Sequence, residues 1–279
     1  MDNALSVDVE EWFQVGAFER TIDRADWDAL ESRVVGNTGV VLDLFDDAGV
    51  KGTFFTLGCV AARHPGLIRE IVARGHEIAS HGWGHHRVFT FTPDEFRADL
   101  AKARAVLEDA GGVAVTGYRA PNFSIDTRTP WAHAVLAEAG YAYSSSVAPL
   151  KHDHYGWVGA PRHAYRPLPD SPLIELPVTL VPVMGRTVTA GGGFFRLLPQ
   201  LFTDRAIAAE NAGQRPAVFY FHPWEVDPGQ PRVTDAPLKS RLRHYARLGA
   251  MAGKLAKLVR RHRWDRTDRV VAIERARLG

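Results

Sequence analysis

Short apolar runs alternate with longer segments of helical periodicity along most of the chain. That alternation confines the fold to βα units set around a largely parallel sheet. Residues 5–9 read as the first strand. Asn37 and Thr38 read as the cap of a helix whose Val40, Val41, Leu44 and Phe45 share one face, with Gly49 as its stop. A second strand is expected at 51–57. Pro65 then opens a helix carrying Leu67, Ile68, Ile71 and Val72, which Gly75 ends before a third strand at 76–80. Thr92, Pro93 and Glu95 spell a boxed helix start, and the periodic run behind them continues to Leu107. Strands at 115–119 and 141–145 flank a helix at 130–138. Irregular surface structure is expected through the Pro-, His- and Gly-rich stretch from 147 to about 172. Strands at 175–182 and 186–190, a helix at 198–212, a buried strand at 217–222, helical structure over 237–262 and a last strand at 269–273 complete the reading.

With 279 residues, 46% of them hydrophobic, the chain can bury one large core. It contains neither a low-complexity linker nor an internal repeat, so a single domain spanning 1–279 is expected. The balance of 34 basic and 32 acidic residues argues against nucleic acid as the main partner. The local basic excess, Lys254, Lys257, Arg260, Arg261, Arg263 and Arg266, reads first as a solvated helix face. Its second reading is peripheral contact with an anionic membrane or an acidic glycan. Cys59 is the only cysteine, which excludes an internal disulfide framework and leaves a small packing residue. The first five residues lack a signal-peptide pattern, and no apolar run approaches the roughly 20 residues of a membrane span, so a cytoplasmic chain is expected. Oligomeric state is not encoded in any pattern visible here.

Chemistry gathers at strand ends. Side chains alternate along a strand, so Asp8 and Glu10 project to one side near its carboxyl end, where one carboxylate can bind a cation and the other accept a proton. Read alone, the pair with Glu11 is also an ordinary acidic turn. His81 and His85 have the i, i+4 spacing of paired metal ligands, a weak signal in a chain with 12 histidines. Gly82 and Gly84 exclude a regular helix, leaving a tight loop that turns both rings toward a pocket, with His86 as a surface neighbour. Arg119 ends a strand before Ala120 and Pro121, where a guanidinium can orient a carboxylate or simply occupy a turn. His222 closes the run Val218, Phe219, Tyr220, Phe221 and precedes Pro223, Trp224 and Glu225, as a core histidine or as a proton donor at a pocket rim.

Together these motifs, from about residue 5 to 225, resemble the polysaccharide deacetylases of the NodB-homology domain, carbohydrate esterase family 4. Asp8 to Trp12, Arg119 to Phe123, Gly191 to Arg196 and His222 to Glu225 are similar to the branch encoded with bacterial exopolysaccharide loci. The resemblance implies an α/β fold, a distorted (β/α)7 barrel with its site at the strand C-termini, and residues 226–279 as a helical extension packed on it. It implies Asp8 as general base, Glu10, His81 and His85 as ligands of one divalent ion, most simply Zn²⁺, and Arg119 as the group holding Asp8. The backbone N–H of Asn122 would stabilise the oxyanion, His222 would protonate the departing amine, and Tyr220 and Trp224 would wall the acetyl pocket. The implied activity removes N-acetyl groups from N-acetylglucosamine-type residues of a polysaccharide or its precursor. Two other readings stay open: a metal-free amide hydrolase like the allantoinase relatives, and a non-catalytic glycan-binding or assembly factor. This sequence departs from the commonest family pattern in three places. Val9 separates Asp8 from Glu10, Ser144 stands where an aspartate is usual, and Tyr220 replaces a leucine.

Overall fold

In the first strand, Ala4, Ser6 and Asp8 face one side while Leu5, Val7 and Val9 face the other, and this parity organises the molecule. A computed structural model describes residues 1–151 and 155–279; residues 152–154, within the irregular stretch expected from 147 to 172, lie outside the described residues. The amino-terminal elements are β1 (Asn3–Val9), α1 (Val34–Ala48), β2 (Thr53–Thr56), α2 (Gly58–Arg63), α3 (Pro65–Ala73), β3 (Glu77–Ser80), α4 (Pro93–Gly111), β4 (Gly117–Tyr118), α5 (Ala132–Glu138) and β5 (Tyr143–Ser144). They continue through β6 (Ile174–Glu175), β7 (Leu180–Val183), β8 (Arg186–Thr189), α6 (Gly192–Leu197), α7 (Gln200–Ala212) and β9 (Val218–Phe221). The chain ends with α8 (Leu238–Tyr245), α9 (Leu248–Arg261), β10 (Trp264–Asp265) and α10 (Thr267–Leu278).

Parallel pairing runs β9, β1, β2, β3, β4, β5, β6, with β10 joined to the start of β1 through Asn3 and Ala4. Residues 176–179 narrow the gap: Val178 N–H donates to Val147 O at 3.2 Å and Thr179 N–H to Val218 O at 3.3 Å. The result is a half-barrel of parallel strands ringed by helices: the βα alternation is read from the sequence, and the barrel is implied by the resemblance. Its outward layer packs Leu5, Val7, Val9, Phe54 and Ile78 against helix residues such as Phe45, Ile68 and Leu107. Its interior is apolar at the amino ends of the strands, where Ala4, Phe55, Ala79 and Val218 meet Val270 and Val271 of α10.

Several elements differ from the sequence reading, each for a physical reason. α1 starts at Val34, so Asn37 and Thr38 lie inside it; Val40 is exposed, and the buried face is Val34, Thr38, Val41, Leu42 and Phe45. The helix is capped from a distance, because Glu11 accepts from the backbone N–H of Arg33 at 3.0 Å and from Ser32 Oγ. Residues 175–182 split into β6 and β7 around Pro177, which has no N–H for a ladder. Pro199 delays the helix expected at 198 to Gln200, and Arg247, at φ 59°, separates α8 from α9.

The strand expected at 269–273 is helical. Thr267, Val270, Val271 and Glu274 form a buried 3.6-residue stripe, and the amino end of α10 is met by Glu77, whose Oε2 accepts the Asp268 N–H at 3.1 Å. Thr92 caps α4 as expected, accepting the Glu95 N–H at 3.3 Å while Glu95 accepts the Thr92 N–H at 2.7 Å.

One backbone approach is decisive for the strand that carries His222. Gly191 sits at φ 148°, and a Cβ there would lie 2.0 Å from Tyr220 O. Thr92→Ala is expected to cost about 1 kcal/mol in a denaturant titration, the usual worth of such a cap. Gly191→Ala should cost more than that, because β9 itself must shift; equal losses from the two variants would contradict this packing.

Candidate functional site

Strands of the barrel deliver polar groups to their carboxyl ends. Asp8 lies in β1 and Glu10 just beyond it, and His81, Arg119 and His222 are the first residues after β3, β4 and β9. Asp8, Glu10, His81, His85 and Arg119 are buried, and the His222 side chain retains 19% exposure. The interior parity of β1 therefore aims Ser6, Asp8 and Glu10 at the same basin.

Donor atoms of Glu10, His81 and His85 all lie within 4.8 Å of one another. That is close to the span one ion with ligand bonds of about 2.0–2.2 Å would draw together. His81 Nδ1–H donates to Arg119 O at 2.8 Å, which leaves its Nε2 lone pair for a ligand. Burial, only partly opposed by Asp8, pushes the His81 pKa down to about 4, so the ring is neutral as coordination requires. For Glu10 burial acts upward, yet the imidazoles of His85, His222 and His81 outweigh it and bring the pKa down to about 2. Trp224 Nε1–H donates to Glu10 Oε1 at 3.1 Å. The other oxygen, Oε2, is buried without a well-directed hydrogen bond although His85 Nε2 is 2.7 Å away. A carboxylate oxygen and a ring nitrogen this close share either a proton or a common cation. With two imidazoles and an ionised carboxylate, the residues fit a divalent ion.

The loop bearing His85 is bent against its preference. Gly82 has φ 75° and His85 φ 56°, the left-handed region that a side chain disfavours. Arg24, half-buried at the start of a short 3-10 helix (Arg24–Ala29) between β1 and α1, clamps this bend: Nη1 donates to Gly84 O and Nη2 to His85 O at 3.1 Å.

Beside the trio, Arg119 Nη1 donates to Asp8 Oδ1 at 2.7 Å and to Ser6 Oγ at 2.8 Å. Its Nε and Nη2 donate to Ser145 O and Ser145 Oγ, both at 3.0 Å. Ser144, in place of an aspartate, instead donates to Ser146 Oγ at 2.8 Å, and Ser146 Oγ accepts the Ala120 N–H at 2.9 Å. Across the basin His222 Nε2 lies 3.7 Å from Glu10 Oε1, and His222 Nδ1–H donates to Glu225 Oε1 at 2.9 Å. Burial opposes charge on His222, but Glu10 and Glu225 outweigh it and raise its pKa to about 9.

Tyr220 and Trp224 flank this histidine. The Tyr220 ring stands edge-on to His222 at 5.8 Å with its hydroxyl 3.1 Å from Thr189 Oγ1, and Trp224 stacks on His222 at 5.2 Å. Asn122 occupies the turn after Arg119 at φ 55°. His86 is exposed, as expected.

Asp8, Glu10, His81, His85, Arg119, Tyr220, His222 and Trp224 thus form one contiguous cluster, and Asn122 lies in the turn that follows Arg119. Sequence reasoning gave no role to Arg24, Ser145, Arg196 or Glu225. For Glu225 the signal was its i, i+3 spacing from His222 around Pro223; for Arg24 there was none. Of the basic residues near the carboxyl end, Lys254 is turned inward and donates to Leu198 O at 2.7 Å. No helix among the described residues is long and apolar enough to cross a membrane.

Fold and site together make this a parallel α/β barrel with a His/His/carboxylate centre at the carboxyl ends of its strands. Residues 21–144 match the family model described as Polysaccharide deacetylase, and residues 145–272 match Domain of unknown function (DUF3473). The chain thus carries a polysaccharide deacetylase segment of the NodB-homology, carbohydrate esterase family 4 type over residues 21–144, followed by a DUF3473 segment over residues 145–272.

Chitin deacetylase 1 of Cryptococcus neoformans is 30% identical over 103 residues, covering 37% of this chain and 21% of the relative. The peptidoglycan-N-acetylglucosamine deacetylase of Bacillus cereus is 31% identical over 96 residues, covering 34% and 35%. The matched segment therefore spans about a third or less of either relative. A crystal structure from Mycobacterium smegmatis, described as a candidate polysaccharide deacetylase, superposes with a TM-score of 0.62 at 23% identity, covering 99% of this chain and 92% of that one. At that identity the likeness speaks for the fold.

Arg24→Ala should weaken divalent-metal binding about 10- to 100-fold, the usual effect of removing a group that orients a ligand. Competition against a chromogenic chelator measures it; unchanged affinity would show the clamp to be idle.

Proposed function

We propose that the chain is a metal-dependent hydrolase that removes acetyl groups from N-acetylglucosamine-type residues of a polysaccharide or its lipid-linked precursor, the likeness to the exopolysaccharide-locus branch favouring an exopolysaccharide. The reading takes residues 1–279 as one unit, with the helices after residue 226 as an extension packed on the barrel. The observation that carries it is that the Glu10, His81 and His85 donor set adjoins both the Asp8–Arg119 pair, through His81 and Arg119 O, and His222, 3.7 Å from Glu10.

Each residue then has a task set by its surroundings. Asp8 offers its outer oxygen to the proton of the attacking water, while Arg119 holds the carboxylate in place. Glu10, His81 and His85 would hold a divalent ion, assigned here as zinc, and that ion when bound would supply polarisation of the amide carbonyl and a more acidic water. The Asn122 N–H supports the oxygen that gains charge as water adds to the acetyl carbon. As the C–N bond breaks, the leaving nitrogen takes a proton from His222 Nε2, giving acetate and a free amino sugar. Tyr220 and Trp224 enclose the acetyl methyl, and the Tyr220 hydroxyl narrows that pocket relative to leucine. An allantoinase-like hydrolase would not need the donor set, and a glycan-binding factor would not need His222.

His81→Ala should lose bound metal. His222→Ala should retain metal and lose turnover by roughly 10²- to 10⁴-fold, as for a removed acid–base group. Metal analysis and acetate release from chito-oligosaccharides check both. Full acetate release after exhaustive chelation, or loss of metal from His222→Ala, would overturn the assignment.

A further inference from the structure

The usual carboxylate on the fifth strand is a serine here, yet His222 is not left without an anionic partner. Glu225, fully buried three residues on, accepts both the His222 backbone N–H at 3.2 Å and its Nδ1–H at 2.9 Å. Behind it lies Arg196, 1% exposed, with Nε 3.0 Å from Glu225 Oε2 in a charge contact that lacks a well-directed hydrogen bond. Arg196 is itself fixed from α8: Nη1 donates to His244 O and Nη2 to Arg243 O at 3.0 Å. His244 stacks on Trp224 at 4.3 Å, and Trp224 stacks on His222.

A buried ion pair adds little net stability compared with apolar packing, so its presence calls for another use. Its geometry supplies one. With Nδ1–H committed to Glu225, the His222 ring is turned so that Nε2 faces Glu10 and the basin, and Arg196 fixes the carboxylate that does the turning. Every member, Arg196, His222, Trp224, Glu225 and His244, falls within residues 145–272.

We propose that Glu225 and Arg196 are positioning residues for His222, and that residues 145–272 thereby supply the proton-donating half of the site, while the amino-terminal half supplies the ion-binding half. The turnover part of this inference rests on the deacetylase reading; the positioning part does not. Arg196 acts only through Glu225, and Glu225 only through the ring.

The test uses the full chain. In the ion-free protein labelled with ¹⁵N-histidine, the His222 Nδ1–H resonance should be downfield and protected from solvent exchange. It should lose both properties in Glu225→Gln and keep them in Glu225→Asp at lower protection. Arg196→Lys should weaken the protection, and should have no further effect once Glu225 is Gln. On chito-oligosaccharides, Glu225→Gln should lower kcat about 10- to 100-fold, with KM and zinc content unchanged. A protected Nδ1–H that survives Glu225→Gln in a protein with wild-type melting would overturn the inference. So would an unprotected resonance in the wild type. Should Glu225→Gln not fold, the Asp and Lys variants decide, and unchanged protection in both would also overturn it. A wild-type chain that releases no acetate would refute the deacetylase reading, and the resonance would still decide the positioning claim.

Discussion

Arg119 is a fully buried cation at the centre of the barrel, and its contacts tie the site to four strands. Its guanidinium reaches Ser6 and Asp8 of β1 and Ser145 beyond β5, and rests 4.0 Å above the Phe55 ring of β2. Its backbone N–H donates to Ser80 O of β3, and its carbonyl receives the His81 Nδ1–H. A charge taken out of water must be matched by an opposite charge and by hydrogen bonds, and removing one partner of such a pair typically costs about 3–5 kcal/mol. The constraint works in both directions: the barrel positions the arginine, and the arginine fixes the base-like Asp8 and the tautomer of a candidate ligand.

Much of this was legible in the primary structure, because period-2 alternation in β1 already places Ser6, Asp8 and Glu10 on one face. Thr92 and Glu95 declared their box through adjacent chemistry. What escaped was non-local. The amino end of α1 is satisfied by Glu11, and that of α10 by Glu77, so neither start carries a local sign. The β-branched run Val270, Val271 and Ile273 reads as a strand until burial beneath the barrel selects the helical stripe. Arg24 and Arg196 likewise act on residues far along the chain, and a single sequence gives no hint of such pairs.

The boundary between the two matched segments falls at residue 144–145, inside the barrel rather than between independent bodies. Ser145 of the second segment holds Arg119 of the first, Trp224 of the second donates to Glu10, and β9 and β10 pair with β1. Asp8 and Glu10 precede both matched segments. A site divided in this way ties its geometry to closure of the whole barrel.

The central claim is that Glu10, His81 and His85 gather around one ion. X-ray absorption at the zinc edge of the purified, zinc-loaded chain tests it most directly. One zinc per chain is predicted, with two imidazole nitrogens and a carboxylate oxygen at about 2.0–2.2 Å, and with the imidazole signal halved in His85→Ala. Zinc that is absent, or whose surroundings are unchanged in that variant, would contradict the account.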